Sequence, residues 1–329
     1  MTRTAGPSRR SLLRAGSGLG LAALGLGTAA YPASAAVPAS QRFDLTQPST
    51  DLYRGKPLHD VTVQQGFAFD NVNRRLFVAQ RRNGTAEAAG DLCITQLDFS
   101  GTYVGHMHLT GFGHGVAFGA QGVGSSTYLW TEVDSDGGYG RRLARFRFTS
   151  GTTLSNTSSA LVTYTPVAAA SEHTCSIDPV NNRLVVRYHL SDGKHIAVYD
   201  LAAATNGDFS NPLADFKQPT LPTLSSKFQG YAAYGQYLYV MTGEDYETNG
   251  KDADGNWIVD SEITSIDMNT GTIKQGPVLT KAGSTLDFRE PEGLAVYQTV
   301  AGDVRLFLGF ASGDPGDRRS NLFYKDVLV

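Results

Sequence analysis

One short pattern is written five times in this sequence, and that repetition restricts the fold more than any other feature. The copies are Gln65-Gly-Phe-Ala-Phe, His114-Gly-Val-Ala-Phe, His173-Thr-Cys-Ser-Ile, Gln229-Gly-Tyr-Ala-Ala and Glu292-Gly-Leu-Ala-Val. Each opens on a polar residue, continues with a small one, and then alternates apolar and small side chains. A more hydrophobic run follows each copy: Leu76-Phe-Val-Ala-Gln, Tyr128-Leu-Trp-Thr-Glu, Leu184-Val-Val-Arg-Tyr-His, Tyr237-Leu-Tyr-Val-Met-Thr and Leu306-Phe-Leu-Gly-Phe. The second positions, Gly66, Gly115, Thr174, Gly230 and Gly293, lie 49, 59, 56 and 63 residues apart. A period of that size built only from strands predicts an all-β, five-bladed β-propeller with one blade per repeat. A third strand family repeats in phase: Ile-Thr-Gln-Leu-Asp98, Ile-Ala-Val-Tyr-Asp200 and Ile-Thr-Ser-Ile-Asp267. A β-sandwich or a single large sheet would not need five similar inner strands.

The repeats divide the chain. Residues 1–35 read as an export leader: Ser8-Arg-Arg-Ser-Leu-Leu, an apolar run from Ala15 to Ala30, then Ala33-Ser-Ala35 as a small-residue cleavage site. The paired Arg9 and Arg10 point to the twin-arginine route and hence to a secreted, extracellular protein. Residues 36–62 form an approach segment with Pro38, Pro48 and Pro57, expected to close the last blade, whose own repeat is one strand short. Residues 63–329 form the propeller, with the inner strands at Gly66–Phe69, Gly115–Phe118, Thr174–Asp178, Gly230–Tyr234 and Gly293–Tyr297. Without the four Arg of the leader, 24 basic residues face 31 acidic ones, a net charge of about −7. That disfavours nucleic acid as a partner. No later run is long and apolar enough for membrane insertion, and a monomer is expected.

Propeller geometry converts the repeats into a site. Inner strands run side by side around a channel and each second strand returns antiparallel. The start of the first and the end of the second therefore share one face of the disc. Gln65, His114, His173, Gln229 and Glu292 are expected to ring one mouth, joined by Gln80, Glu132, Arg187, His189 and Glu244. Amides and acids there could bind sugar hydroxyls, while Arg or His could meet an anionic group. The same groups could instead cap the channel and bond one another. Three reactions can be tried on this rim. A glycoside hydrolase needs two carboxylates, available from Glu132, Glu244 and Glu292. A polysaccharide lyase needs a cation and a base, available from Arg187 with His114, His173 or His189. A phosphodiesterase would need a metal, and no tight His/Asp cluster is apparent in the sequence. The candidate catalytic set is His114, His173, Arg187 and Glu132; Gln65, Gln80, His189, Gln229, Glu244 and Glu292 are candidate ligand-binding residues.

An insertion in the fourth repeat partly resembles a calcium loop, with Asp252, Asp254, Asn256 and Asp260 at alternate positions. Trp257 stands where such a loop wants its central Gly, and Ile263 where it wants Glu; a polar surface turn is the alternative, and no other cofactor is implied. His106 and His108 alternate on an outer strand and are expected to face solvent. Cys93 and Cys175 fall in different blades and are expected to be two buried thiols.

The stretches Gln65-Gly-Phe-Ala-Phe-Asp with Leu76-Phe-Val-Ala-Gln, then Gly90-Asp-Leu-Cys-Ile-Thr-Gln-Leu-Asp, Gly111-Phe-Gly-His-Gly-Val and Tyr128-Leu-Trp-Thr-Glu resemble the teichoic acid biosynthesis protein C-like β-propeller. Related domains occur in receptor-binding or baseplate proteins of phages that attack Gram-positive cells. The resemblance is densest over residues 63–150. It implies five blades and a cell-wall glycopolymer or polysaccharide partner, and it brings no defined catalytic set.

Overall fold

A computed structural model of the chain describes residues 36–329; the expected leader lies outside the described residues. The chain is a five-bladed β-propeller. It enters through β1 (Thr50–Pro57). Blade one follows as β2 (Gln64–Asp70), β3 (Arg75–Arg81), β4 (Leu92–Leu97) and β5 (Tyr103–Thr110). Blade two holds β6 (Gly119–Val123), β7 (Ser126–Asp136), β8 (Tyr139–Arg147) and, after β9 (Thr152–Ser155), β10 (Val162–Tyr164). Blade three is β11 (His173–Asp178), β12 (Arg183–Leu190), β13 (Gly193–Asp200) and, beyond helix α1 (Leu201–Thr205), β14 (Ala214–Lys217). Blade four is β15 (Phe228–Tyr234), β16 (Tyr237–Thr242), then helix α2 (Tyr246–Asn249), β17 (Glu262–Asp267) and β18 (Thr272–Leu279). Blade five is β19 (Glu290–Gln298), β20 (Val304–Ser312) and β21 (Arg319–Lys325), with β1 paired antiparallel to β21 as its outermost strand. The two ends of the described chain thus share one sheet, which removes a free edge at the point of closure.

Apolar side chains alternate on each strand because both faces of a blade are covered. One face of blade one places Ala68, Phe77 and Ile94 against Phe118, Leu129 and Phe146 of blade two. The opposite face places Phe69, Leu76 and Val78 against Tyr297, Phe307 and Leu322 of blade five. Three equivalent clusters fill the remaining seams. Asp residues at the ends of inner strands tie hairpins and neighbours together. Asp70 accepts from the Val72 and Asn73 amides and from Thr127 of blade two. Asp178 accepts from the Val180 and Asn181 amides and from the Gly235 amide of blade four.

The structure departs from the sequence reading in three places. The inner strand of blade two starts at Gly119 rather than Gly115. Gly115 has a φ of +81°, and its amide is captured by Glu132, so residues 112–118 form an irregular approach instead of a ladder. Next, blade one gains a fifth strand that the sequence did not mark: β9 pairs in parallel with β5. Finally, His106 and His108 do not stand free in solvent, because His59 lies across them. Cys93 and Cys175 are both buried, free thiols. Among the described residues no helix is long and apolar enough to cross a membrane.

Candidate functional site

The inner strands converge so closely that backbone meets backbone at the axis. A Cβ on Gly66 would stand 2.7 Å from the Gly115 carbonyl oxygen, and one on Gly293 would stand 2.9 Å from the Gly66 Cα. One on Gly230 would meet the Gly293 Cα at 2.9 Å. Positive φ values at Gly230 and Gly293 add a second reason for glycine there. The residues immediately before these glycines are therefore gathered round one opening. Gln65, His114, Gln229 and Glu292 line a single cavity of about 630 Å³, together with Arg81, Glu87, Lys227, Glu290 and Arg318. Thr174, the third-blade counterpart of the glycines, lines a separate recess of about 170 Å³ with Arg187, Glu172 and Lys194. Tyr139 and Phe228 line both and form the sill between them.

The larger cavity contains a chain of charges. Glu292 is 3% exposed. Burial pushes its carboxyl well above the usual range, and the neighbouring Glu290 charge and hydrogen bond add to that. Burial therefore favours the protonated form of the Glu292 carboxyl. Gln65 Nε2 donates to Glu292 Oε1 at 3.5 Å. Lys227 Nζ stands 3.0 Å from Glu290 and 3.2 Å from Glu244. Burial opposes its charge, but the hydrogen bonds and charges of the two carboxylates outweigh burial and raise its pKa. Arg81 pairs with Glu87 at 2.9 Å. His114 stacks on Tyr139, with ring centroids 5.2 Å apart and planes 13° off parallel. Burial lowers the His114 pKa against the pull of Glu87, which favours a neutral imidazole. The opening thus offers a buried carboxyl, an ammonium, guanidinium groups, amides and an aromatic face.

The remaining candidates take other positions. Glu132 is fully buried and lines neither cavity. Its two oxygens accept from the amides of Gly115 at 2.8 Å and Gly140 at 2.7 Å, and burial raises its pKa to about 7. It holds the backbone that carries His114. His173 is also buried, with Nδ1 2.7 Å from the Arg141 carbonyl oxygen. Gln80 is buried and donates to the carbonyls of Asp60 and Thr62, anchoring the approach segment. Arg187 borders the small recess, where Nε donates to Gln218 and the guanidinium lies 3.9 Å from the Phe228 ring centroid. His189 sits beside that recess against Lys194, which pairs with Glu172 at 2.7 Å. Glu244 is spent on Lys227.

The insertion in blade four is built round a local turn. Asp252 Oδ1 accepts from the amides of Asp254 and Asn256, closing a local turn. Asp260 instead accepts from the Glu244 amide. Asp252, Asp254 and Asp260 do not join any group of ligating atoms that lie within 4.8 Å of one another among the described residues. Trp257, where a calcium loop needs Gly, stacks on Tyr246 with centroids 5.4 Å apart.

Arg81, Glu87, Lys227, Glu290 and Arg318 are absent from the sequence reading. Two of them carried a legible signal. Glu290 lies two residues before Glu292, and Lys227 two before Gln229, so strand periodicity points them to the same side. Glu87 opens a single 3-10 turn (Glu87–Ala89) and Arg318 comes from a loop, and neither offers a periodicity to be read.

Comparison with known proteins adds relatives. The family described as the phage 5-bladed beta propeller receptor binding platform domain matches residues 63–324. A Bacillus subtilis (strain 168) protein that carries the name major teichoic acid biosynthesis protein C is 26% identical over 297 residues, covering 85% of this chain and 63% of its own length. The tail fiber of Staphylococcus aureus phage P68 superposes with a TM-score of 0.68 at 20% identity, covering 86% of this chain and 54% of the fiber chain. The chain therefore spans less than two thirds of either relative.

Proposed function

Because the chain belongs to the phage five-bladed β-propeller receptor-binding platform family, we propose that its funnel binds a cell-wall or other extracellular glycopolymer. The polymer is teichoic-acid-like or a polysaccharide, and the protein meets it outside the cell as a monomer exported by the twin-arginine route. One observation carries this reading. The mouth of the channel joins hydroxyl-binding groups (Gln65, Gln229, Glu290, Glu292) to cations (Arg81, Lys227, Arg318) in one cavity of about 630 Å³. That combination suits a polyol or sugar with phosphate or carboxylate substituents. The name of the Bacillus protein, which refers to teichoic acid, agrees with such a ligand. The test is calorimetric titration with purified wall teichoic acid and with a neutral wall polysaccharide. Binding to at least one is expected, weakened about tenfold or more by the double substitution Lys227→Ala/Arg318→Ala. Unchanged affinity in that variant overturns the assignment of the cavity.

A second reading, as a secreted lyase or glycoside hydrolase, draws on the proton held by Glu292. New reducing ends or unsaturated products on incubation with the bound polymer would favour the enzyme.

A further inference from the structure

The seam where the ring closes holds a second set of chemistry, away from the funnel. His106 and His108 occupy alternate positions of β5 and so share one face. In the sheet register His106 lies opposite Thr95, His108 opposite Cys93, and Cys93 opposite Gln80. That face receives the segment that leads from β1 to β2. Gln80 donates to the Asp60 and Thr62 carbonyls, and the His59 amide donates to Thr95 Oγ1 at 3.1 Å. These bonds fix His59 above the strand. Its ring lies face to face with His106, centroids 3.4 Å apart and planes 9° off parallel, and 5.5 Å from the His108 centroid.

From this we infer a transition-metal site of the zinc class, held by the imidazoles of His59, His106 and His108. Their ligating atoms lie within 4.8 Å of one another. His108 also belongs to a second such group with Asp60 and Cys93, which places a carboxylate and a thiol within reach as a fourth ligand. Nitrogen, oxygen and sulfur donors in this number match zinc. The Tyr103 hydroxyl lies 2.8 Å from His106 Nδ1. With Nδ1–H donated to that hydroxyl, Nε2 keeps its free pair for the metal. A neighbouring charge on Arg82 opposes a cation here, and Asp60 offsets it. Because a ring lone pair lies in the ring plane, coordination turns the exposed His59 out of its stack.

The site clasps the connection between the closing strand and the first inner strand, and Val61, Thr62 and Val63 of that same connection line the funnel. Metal binding is therefore coupled to folding of the closed ring. The test uses the full mature chain without an affinity tag, stripped with a chelator and titrated with Zn²⁺ alone by calorimetry and by thermal unfolding. One equivalent is expected to bind and to raise the unfolding midpoint. His106→Ala/His108→Ala should weaken binding by about tenfold or more. His59→Ala provides the variant that leaves the strands untouched: native circular dichroism with the same order of loss is expected. No saturable uptake by the stripped chain, or affinity unchanged in His59→Ala and in the double variant, overturns the site.

Discussion

The mouths of blade two and blade five each bury a glutamate, and the two behave as different objects. Glu132 and Glu292 are both almost wholly removed from water, and in both burial raises the carboxyl pKa. Glu132 gives its oxygens to two backbone amides, Gly115 and Gly140. Glu292 faces Gln65 and Glu290 in the open cavity. Burial alone therefore does not mark a binding group. What separates them is the partner: backbone amides consume a side chain, whereas other side chains at an opening leave it available.

The largest effect expected from this contrast is on folding. Glu132→Ala strands two buried amides, each costing about 1–3 kcal/mol, so a loss of roughly 4 kcal/mol is expected in urea unfolding at pH 5. Glu292→Ala removes a group whose partners remain at the cavity and should cost much less. Equal losses in the two variants would break the comparison.

Next in size is the pH dependence. The unfolded chain releases the Glu132 proton near pH 4.5, and the folded chain near pH 7. Between these values the folded state binds more protons, so stability falls as pH rises. The contribution is fully present below about pH 4.5 and is lost through about pH 7, with an amplitude of roughly 3 kcal/mol. Glu292 acts in the same direction. Glu132→Gln and Glu292→Gln should each flatten the fall between pH 5 and 8. A wild-type profile that rises across this window would contradict both raised carboxyls.

The contrast also explains how far the sequence could be read. The five polar–small starts were legible because close approach at the axis demands Gly66, Gly230 and Gly293, whose Cβ atoms would meet neighbouring backbone. That same requirement placed Gln65, His114, Gln229 and Glu292 at one opening. His173 shares the pattern but not the outcome, because its ring turns to the Arg141 carbonyl. Glu132 was expected at a second-strand end, yet β7 runs on to Asp136, and Glu132 is held by the Gly115 and Gly140 amides away from the cavity. Periodicity reports the face of a strand; it does not report which loop covers that face. For the same reason His106 and His108 were read as solvent-facing: the segment carrying His59 crosses them from outside the repeat.

Ligand binding should separate the mouths at a smaller scale. Glu292→Gln keeps size and removes the carboxyl, and about a tenfold loss of glycopolymer affinity is expected, near 1.4 kcal/mol. Glu132→Gln, measured by the same titration in protein verified as folded, should change affinity far less. Its only route to the ligand is the backbone under His114.

The smallest expected effect concerns the recess beyond the sill. Arg187 is held by Gln218 and by the Phe228 ring, and Phe228 is shared with the main cavity. A polymer seated in the main cavity reaches Arg187 only if it extends over Tyr139 and Phe228. A single repeat unit is too short to gain from that contact, whereas a longer chain can place an anionic group there. Arg187→Ala should therefore weaken binding of a polymer by about threefold, in the range of a partly exposed ion pair, and leave a one-unit fragment unaffected. Equal loss for fragment and polymer would mean that Arg187 acts through Phe228 on the main cavity, and the recess would cease to be a separate subsite.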